Sequence, residues 1–203
     1  MKKKLMLIST MLLTILMVGT VDAKVSNKDL YKFDNNLNLN ESVDGTVFYA
    51  GNSVNSDKES VINGISFIFG NNAKLNGTSE YLFLAGNNIT FNGTVNNDAF
   101  IAGNMVEISS SAVLNRDAYI VASNVVINSD VARNLKVGAE EIIISGTING
   151  DVNLSAEKIT ILNSAVINGT LKYNDNANIN IENKDNISNI KTYKVVTYTE
   201  VVR

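Results

Sequence analysis

Residues 81–108 read YLFLAGNNITFNGTVNNDAFIAGNMVEI, and this is one motif written about one and a half times. Leu82-Phe83-Leu84-Ala85-Gly86-Asn87 returns as Ala99-Phe100-Ile101-Ala102-Gly103-Asn104. Behind each copy stands a second alternating run, Ile89-Thr90-Phe91 and then Val106-Glu107-Ile108. A unit that returns at a fixed spacing is the signature of a repeat architecture.

The motif extends both ways. Val47-Phe48-Tyr49-Ala50-Gly51-Asn52 and Ser66-Phe67-Ile68-Phe69-Gly70-Asn71 lie upstream. Tyr119-Ile120-Val121-Ala122-Ser123-Asn124, Leu135-Lys136-Val137-Gly138-Ala139-Glu140 and Val152-Asn153-Leu154-Ser155-Ala156-Glu157 lie downstream, with a weaker copy from Leu171 to Ile181. Measured from one terminal Asn or Glu to the next, the steps are 19, 16, 17, 20, 16 and 17 residues. About eight units of roughly 17 to 18 residues fall in the range of solenoids. Each unit holds alternating runs of three to five residues separated by Asn, Gly, Ser or Asp, and none has a helical period. Asn-Gly or Asp-Gly recurs at 44–45, 63–64, 76–77, 92–93, 149–150 and 168–169. That pair alone suggests hairpins, but hairpins do not account for the period. Stacked coils do, with each strand pairing with its counterpart one coil on. Three short strands and three corners per coil make an all-β, single-stranded, three-faced parallel β-helix over residues 43–183.

Alternation assigns the inward side chains. On the first strand these are Val47/Tyr49, Leu82/Leu84, Ala99/Ile101, Tyr119/Val121, Leu135/Val137 and Val152/Leu154. On the second they are Ile89/Phe91, Val106/Ile108, Ile142/Ile144 and Ile159/Ile161. The outward column of the first strand then reads Phe48, Phe67, Phe83, Phe100 and Ile120, followed by Lys136, Asn153 and Lys172. An outward aromatic row stabilises a sheet by stacking, is covered by the N-terminal segment, or is an interaction stripe.

Composition narrows the function classes. The chain has 203 residues, 45 % of them hydrophobic, so it can bury a core. Its formal net charge is -3, with no basic excess to suggest a nucleic-acid partner. Neither Cys nor His is present, which removes disulfides, thiolate ligands, and the commonest general base and metal ligand. Pro is absent and Asn abundant, a usage expected for many similar turns because Asn tolerates the left-handed conformation and bonds to nearby backbone.

Residues 1–23 read as a signal peptide: Lys2-Lys3-Lys4, an apolar run over 5–21, then Val21-Asp22-Ala23 with cleavage after Ala23. An uncleaved signal anchor is the alternative, and without Cys a lipoprotein anchor is excluded. Residues 24–42 read as a cap over the open solenoid end, or a linker. Residues 184–203 read as a terminal strand or tail and contain no membrane span.

No catalytic, cofactor or metal site is expected. Asp98, Asp117 and Asp151 sit at equivalent corners with Arg116 and Arg133 near, dispersed one per coil. A carbohydrate-active site would need them clustered. Asn-X-Ser/Thr matches at Asn76, Asn88, Asn92, Asn168 and Asn186 follow from an Asn-rich repeat.

The Gly-Asn corners at Ala50-Gly51-Asn52, Ala85-Gly86-Asn87 and Ala102-Gly103-Asn104 resemble those of the bactofilins, polymer-forming bacterial cytoskeletal proteins. So do residues 133–140 and Ile148-Asn149-Gly150-Asp151-Val152. The likeness covers about 43–183. It implies a right-handed β-helix that polymerises end to end without nucleotide into membrane-associated scaffolds that help place envelope machinery. The export signal makes the chain more similar to exported members of that group. The expected function is thus a non-enzymatic, self-assembling scaffold of the cell envelope. Its partner is itself, with a membrane or envelope protein as a possible second and nucleic acid excluded. A monomeric exported solenoid that contacts carbohydrate or a protein through the Phe stripe is the alternative. The candidate polymer interface is the last apolar rungs, Ile159, Ile161, Ile179 and Ile181, because a solenoid's unpaired groups lie at its ends.

Overall fold

A computed structural model describes residues 25–26 and 28–195. The cleavage position Ala23, the leader around it and residues 196–203 lie outside the described residues.

Apart from one 3-10 turn, Lys184–Asn186, every regular element among the described residues is a strand. Every strand pairing is parallel, and each strand pairs with its counterpart one coil away. The chain is a right-handed parallel β-helix of about ten turns. Its first face is built from rungs 30–33, 47–50, 66–69, 82–85, 99–102, 118–121, 135–138, 152–155, 171–174 and 190–193. The second face runs from 36–39 to 178–181. A narrow third face has two-residue rungs such as 78–79, 94–95 and 113–114. Parallel pairing on all three sides satisfies the backbone coil to coil and leaves free edges only at the two ends.

Inward side chains stack into one continuous core that includes Leu82, Leu84, Ile89, Val106, Ile142 and Leu154. Each buried Val, Leu or Ile contributes about 1.5–3 kcal/mol of transfer free energy. Ile, Val and Leu recur because a two-residue period on a narrow coil leaves room for one branched side chain per inward position. Serines also take inward positions: Ser66 and Ser79 bond to each other at 2.7 Å, and the hydroxyl of Ser56, in register with Leu39 and Leu75, accepts from the Asn76 and Gly77 amides.

The solenoid is longer than residues 43–183. The expected N-terminal cap is instead the first coil, since Leu30–Phe33 and Asn36–Leu39 pair in parallel with Val47–Ser56. At the other end, within the segment read as a terminal strand or tail, Ile187–Tyr193 is a strand that pairs with Val166–Asn174 and adds a further first-face rung. Both terminal coils lack the Gly-Asn corner by which the repeat is recognised. Lys32 also breaks the alternation of the first: it takes an inward position, in register with Tyr49.

Coils differ in length because the corner between the second and third faces is elastic. Longer coils insert a tight turn there, closed by Ser60 N to Asp57 O, Ala112 N to Ser109 O and Ala165 N to Leu162 O. The corners do not work as the composition suggested. No described residue, Gly or Asn, has positive φ. Asn serves instead as a ladder of side-chain amides between coils. Asn92 donates to Asn76 at 2.9 Å, Asn168 to Asn149 at 2.9 Å and Asn88 to Asn72 at 3.0 Å. Gly is required by proximity: a Cβ at Gly93 would run into the carbonyl oxygen of Gly77 one coil below.

Candidate functional site

The outward column of the first face carries rings on six successive rungs. In register these are Tyr31, Phe48, Phe67, Phe83, Phe100 and Tyr119. Ring centroids lie 5.0 Å apart for Phe67–Phe83, 4.8 Å for Phe83–Phe100 and 4.9 Å for Phe100–Tyr119, with planes within 20°, 8° and 5° of parallel. The rung spacing of about 4.8 Å sets this distance, so four rings form a stack. Nearer the N-terminal end the rings tilt, and Phe48 meets Phe33 and Phe69 at 5.4 and 5.3 Å.

The stripe residues Phe48, Phe67, Phe83 and Phe100 face outward as expected. Ile120 does not. It pairs with Ile101 and is 1 % exposed, while Tyr119 pairs with Phe100 and Val121 is 65 % exposed. The inward pair on that rung is therefore Ala118 and Ile120. Matching Ala122-Ser123-Asn124 to the Ala-Gly-Asn corner shifts the register by one. The run Ala118-Tyr119-Ile120-Val121 is apolar throughout, so alternation cannot correct it. Tyr119, the sixth ring, is what that reading misses.

Stacking determines what the rings can offer. Where Phe67, Phe83, Phe100 and Tyr119 cover each other's faces, only their edges reach solvent. A parallel column two residues on, Phe69, Ala85, Ala102 and Val121, supplies a low floor between taller ends. Rings and floor enclose an apolar groove of about 400 Å³.

Beyond Tyr119 the column changes chemistry. Lys136, Asn153, Lys172 and Lys191 follow in register. Lys136 lies over the Tyr119 ring, 5.8 Å from its centroid, and joins the two halves. A second depression of about 440 Å³ is lined there by Lys136, Lys172 and Lys191 with Asn153 and Asp151. None of the ten rungs of this face contains Asp or Glu.

Acids stand at the corners. Asp117 accepts from the Asn134 amide N at 3.0 Å and lies 3.5 Å from Arg133 Nε. Asp98 lies 3.5 Å from Arg116 Nε, and Asp151 accepts from Thr170 N at 2.8 Å. Each ties one coil to the next. Among the described residues no group of three or more carboxylates is placed to hold a metal ion.

The two ends differ. At the N-terminal coil Lys32 lies 5.5 Å from the centroid of the buried Tyr49 ring and 3.2 Å from Glu41. Burial pushes the Tyr49 phenol up, with Lys32 opposing. At the C-terminal coil the inward Ile179, Ile181 and Ile190 are apolar and half-covered, and Thr192, in register with Tyr173, is exposed. Strand Asn178–Ile181 pairs only with Lys158–Ile161, and Ile187–Tyr193 only with Val166–Asn174, among the described residues. Ile159 and Ile161, expected at the interface, are fully buried one rung below. The exposed edge is Ile179 and Ile181, joined by Ile190.

Comparison with known proteins adds no relative: no family model, curated protein or solved structure matches the chain.

Proposed function

We propose that this chain is a non-enzymatic scaffold of the bacterial cell envelope that assembles end to end without nucleotide. The observation that carries the reading is the C-terminal end. There, among the described residues, two strands are paired on one side only, and Ile179, Ile181 and Ile190 are half-covered. Docking of another solenoid end continues the ladder and covers that layer. The resemblance to bactofilins and the export-like residues 1–23 support the same reading, with the chain outside the cytoplasm. The second reading, a monomeric surface-binding module, is favoured by the apolar groove beside the ring stack.

Electron microscopy of the purified exported protein separates the two, with filaments expected. Replacing Ile179 and Ile181 by Lys abolishes them and leaves the circular dichroism of the fold, because solenoid stability is largely nearest-neighbour. Phe83→Ser with Phe100→Ser at most unbundles filaments. If the Lys pair polymerises normally and the Ser pair gives only monomers, the face is the assembly surface and the end-to-end reading fails.

A further inference from the structure

We propose that the first face docks on an anionic lipid bilayer, its ring half at the hydrocarbon boundary and its lysine half on headgroup phosphates. The inference does not rest on end-to-end assembly.

The first ground is charge. The chain has 20 acids against 17 bases, yet the ten rungs of this face hold no acid and place Lys136, Lys172 and Lys191 in one outward column. On the border with the third face, Asp98 and Asp117 are paired with Arg116 and Arg133, and Asp151 accepts from a backbone amide. On the border with the second face, the exposed Glu140, Glu157 and Asp175 lie at the corners, off the rungs themselves. An acid-free face on an acidic protein is complementary to a negative surface.

The second ground is ring geometry. Sugars and nucleobases bind aromatic side chains by lying on a free ring face. In this stack the faces of Phe67, Phe83 and Phe100 are occupied by their neighbours, leaving a row of apolar edges. Edges suit hydrocarbon. Around them stand Phe33, 71 % exposed, and Val121, 65 % exposed, neither covered by another part of the described chain. Tyr31 and Tyr119 add phenols of the kind that settle at a membrane interface.

The third ground is shape. Parallel rungs hold rings and lysines along one strip about 45 Å long at ~4.8 Å per rung. Apolar contact and cationic contact can therefore meet a planar surface together, and two weak signals combine.

Co-sedimentation of the full-length protein with phosphatidylcholine vesicles, with and without phosphatidylglycerol, tests this. Binding to the anionic vesicles is expected to be at least tenfold tighter and to fall with salt. Replacing Lys136, Lys172 and Lys191 by Gln is expected to weaken it about a hundredfold, since each lysine near an anionic surface contributes a factor of roughly five. Phe33→Ser with Val121→Ser is expected to weaken it as well. All five positions are outward, and unchanged melting temperatures confirm folding. Equal binding to both vesicle types, untouched by the lysine changes, assigns attachment to the apolar run 5–21 and overturns the proposal. So does absence of binding, which leaves the face to a protein or a second copy.

Discussion

At the scale of the residue, neighbours on one strand have opposite fates, and one rung tests this sharply. Ile120 is in the core and Val121 is in solvent, although both are β-branched and adjacent. Ile120→Asp is expected to lower stability by about 3 kcal/mol or more, since an unpaired carboxylate would enter an apolar layer. Val121→Asp is expected to change it by no more than about 0.5 kcal/mol. Thermal unfolding followed by circular dichroism compares them, and equal losses would restore the shifted register. Most inward positions are legible from sequence because polar residues interrupt the apolar ones, as in Val152-Asn153-Leu154. Where the outward residue is also apolar the alternation loses its contrast, and only pairing with Ala99–Ile108 settles the parity. Lys32 is illegible for the opposite reason. A cation at an inward position reads as a break in the repeat, and its place beside Tyr49 and Glu41 exists only once the coil has closed.

At the scale of the element, the strands are legible and the corners only half so. Asn and Gly mark where each corner falls. They do not reveal that the turn is made without positive φ, because close approach of coils and left-handed backbone call for the same residues. The two explanations make different predictions. If proximity is the reason, a methyl group is harmful only where the next coil is near. Gly93→Ala places Cβ against the Gly77 carbonyl and is expected to cost about 1–3 kcal/mol. At Gly138 the nearest atom to an added Cβ is Val121 Cγ2, at 4.0 Å. Gly138→Ala is therefore expected to stabilise by about 0.4–1 kcal/mol, through a less flexible unfolded chain. Urea titration of both variants reads the signs, and destabilisation of similar size at both sites would return the argument to backbone conformation.

At the scale of the molecule, the two ends govern behaviour, and both were underestimated because terminal coils depart from the repeat. A coil in the middle is paired on both sides. Among the described residues the last second-face rung, 178–181, is paired on one side, with half of its backbone groups turned away from rung 158–161. Its inward Ile179 and Ile181 are half-covered, whereas Ile142 and Ile144 in the middle are fully buried. In a chain whose stability is a sum of nearest-neighbour terms, opening proceeds from the less stabilised end. Hydrogen exchange of the unassembled protein is expected to show protection falling from 142–144 towards 178–181 and 190–193. Assembly through that end gives the terminal rungs a second neighbour. Their amides are then expected to slow selectively on polymerisation, with the middle coils unchanged. Lateral assembly through the first face would leave the terminal amides fast, because outward side chains cover no unpaired backbone there. Exchange measured on both sides of the assembly transition thus locates the contact from the backbone alone. Terminal amides that stay fast inside filaments would place the polymer contact elsewhere than on the Ile179–Ile181 edge.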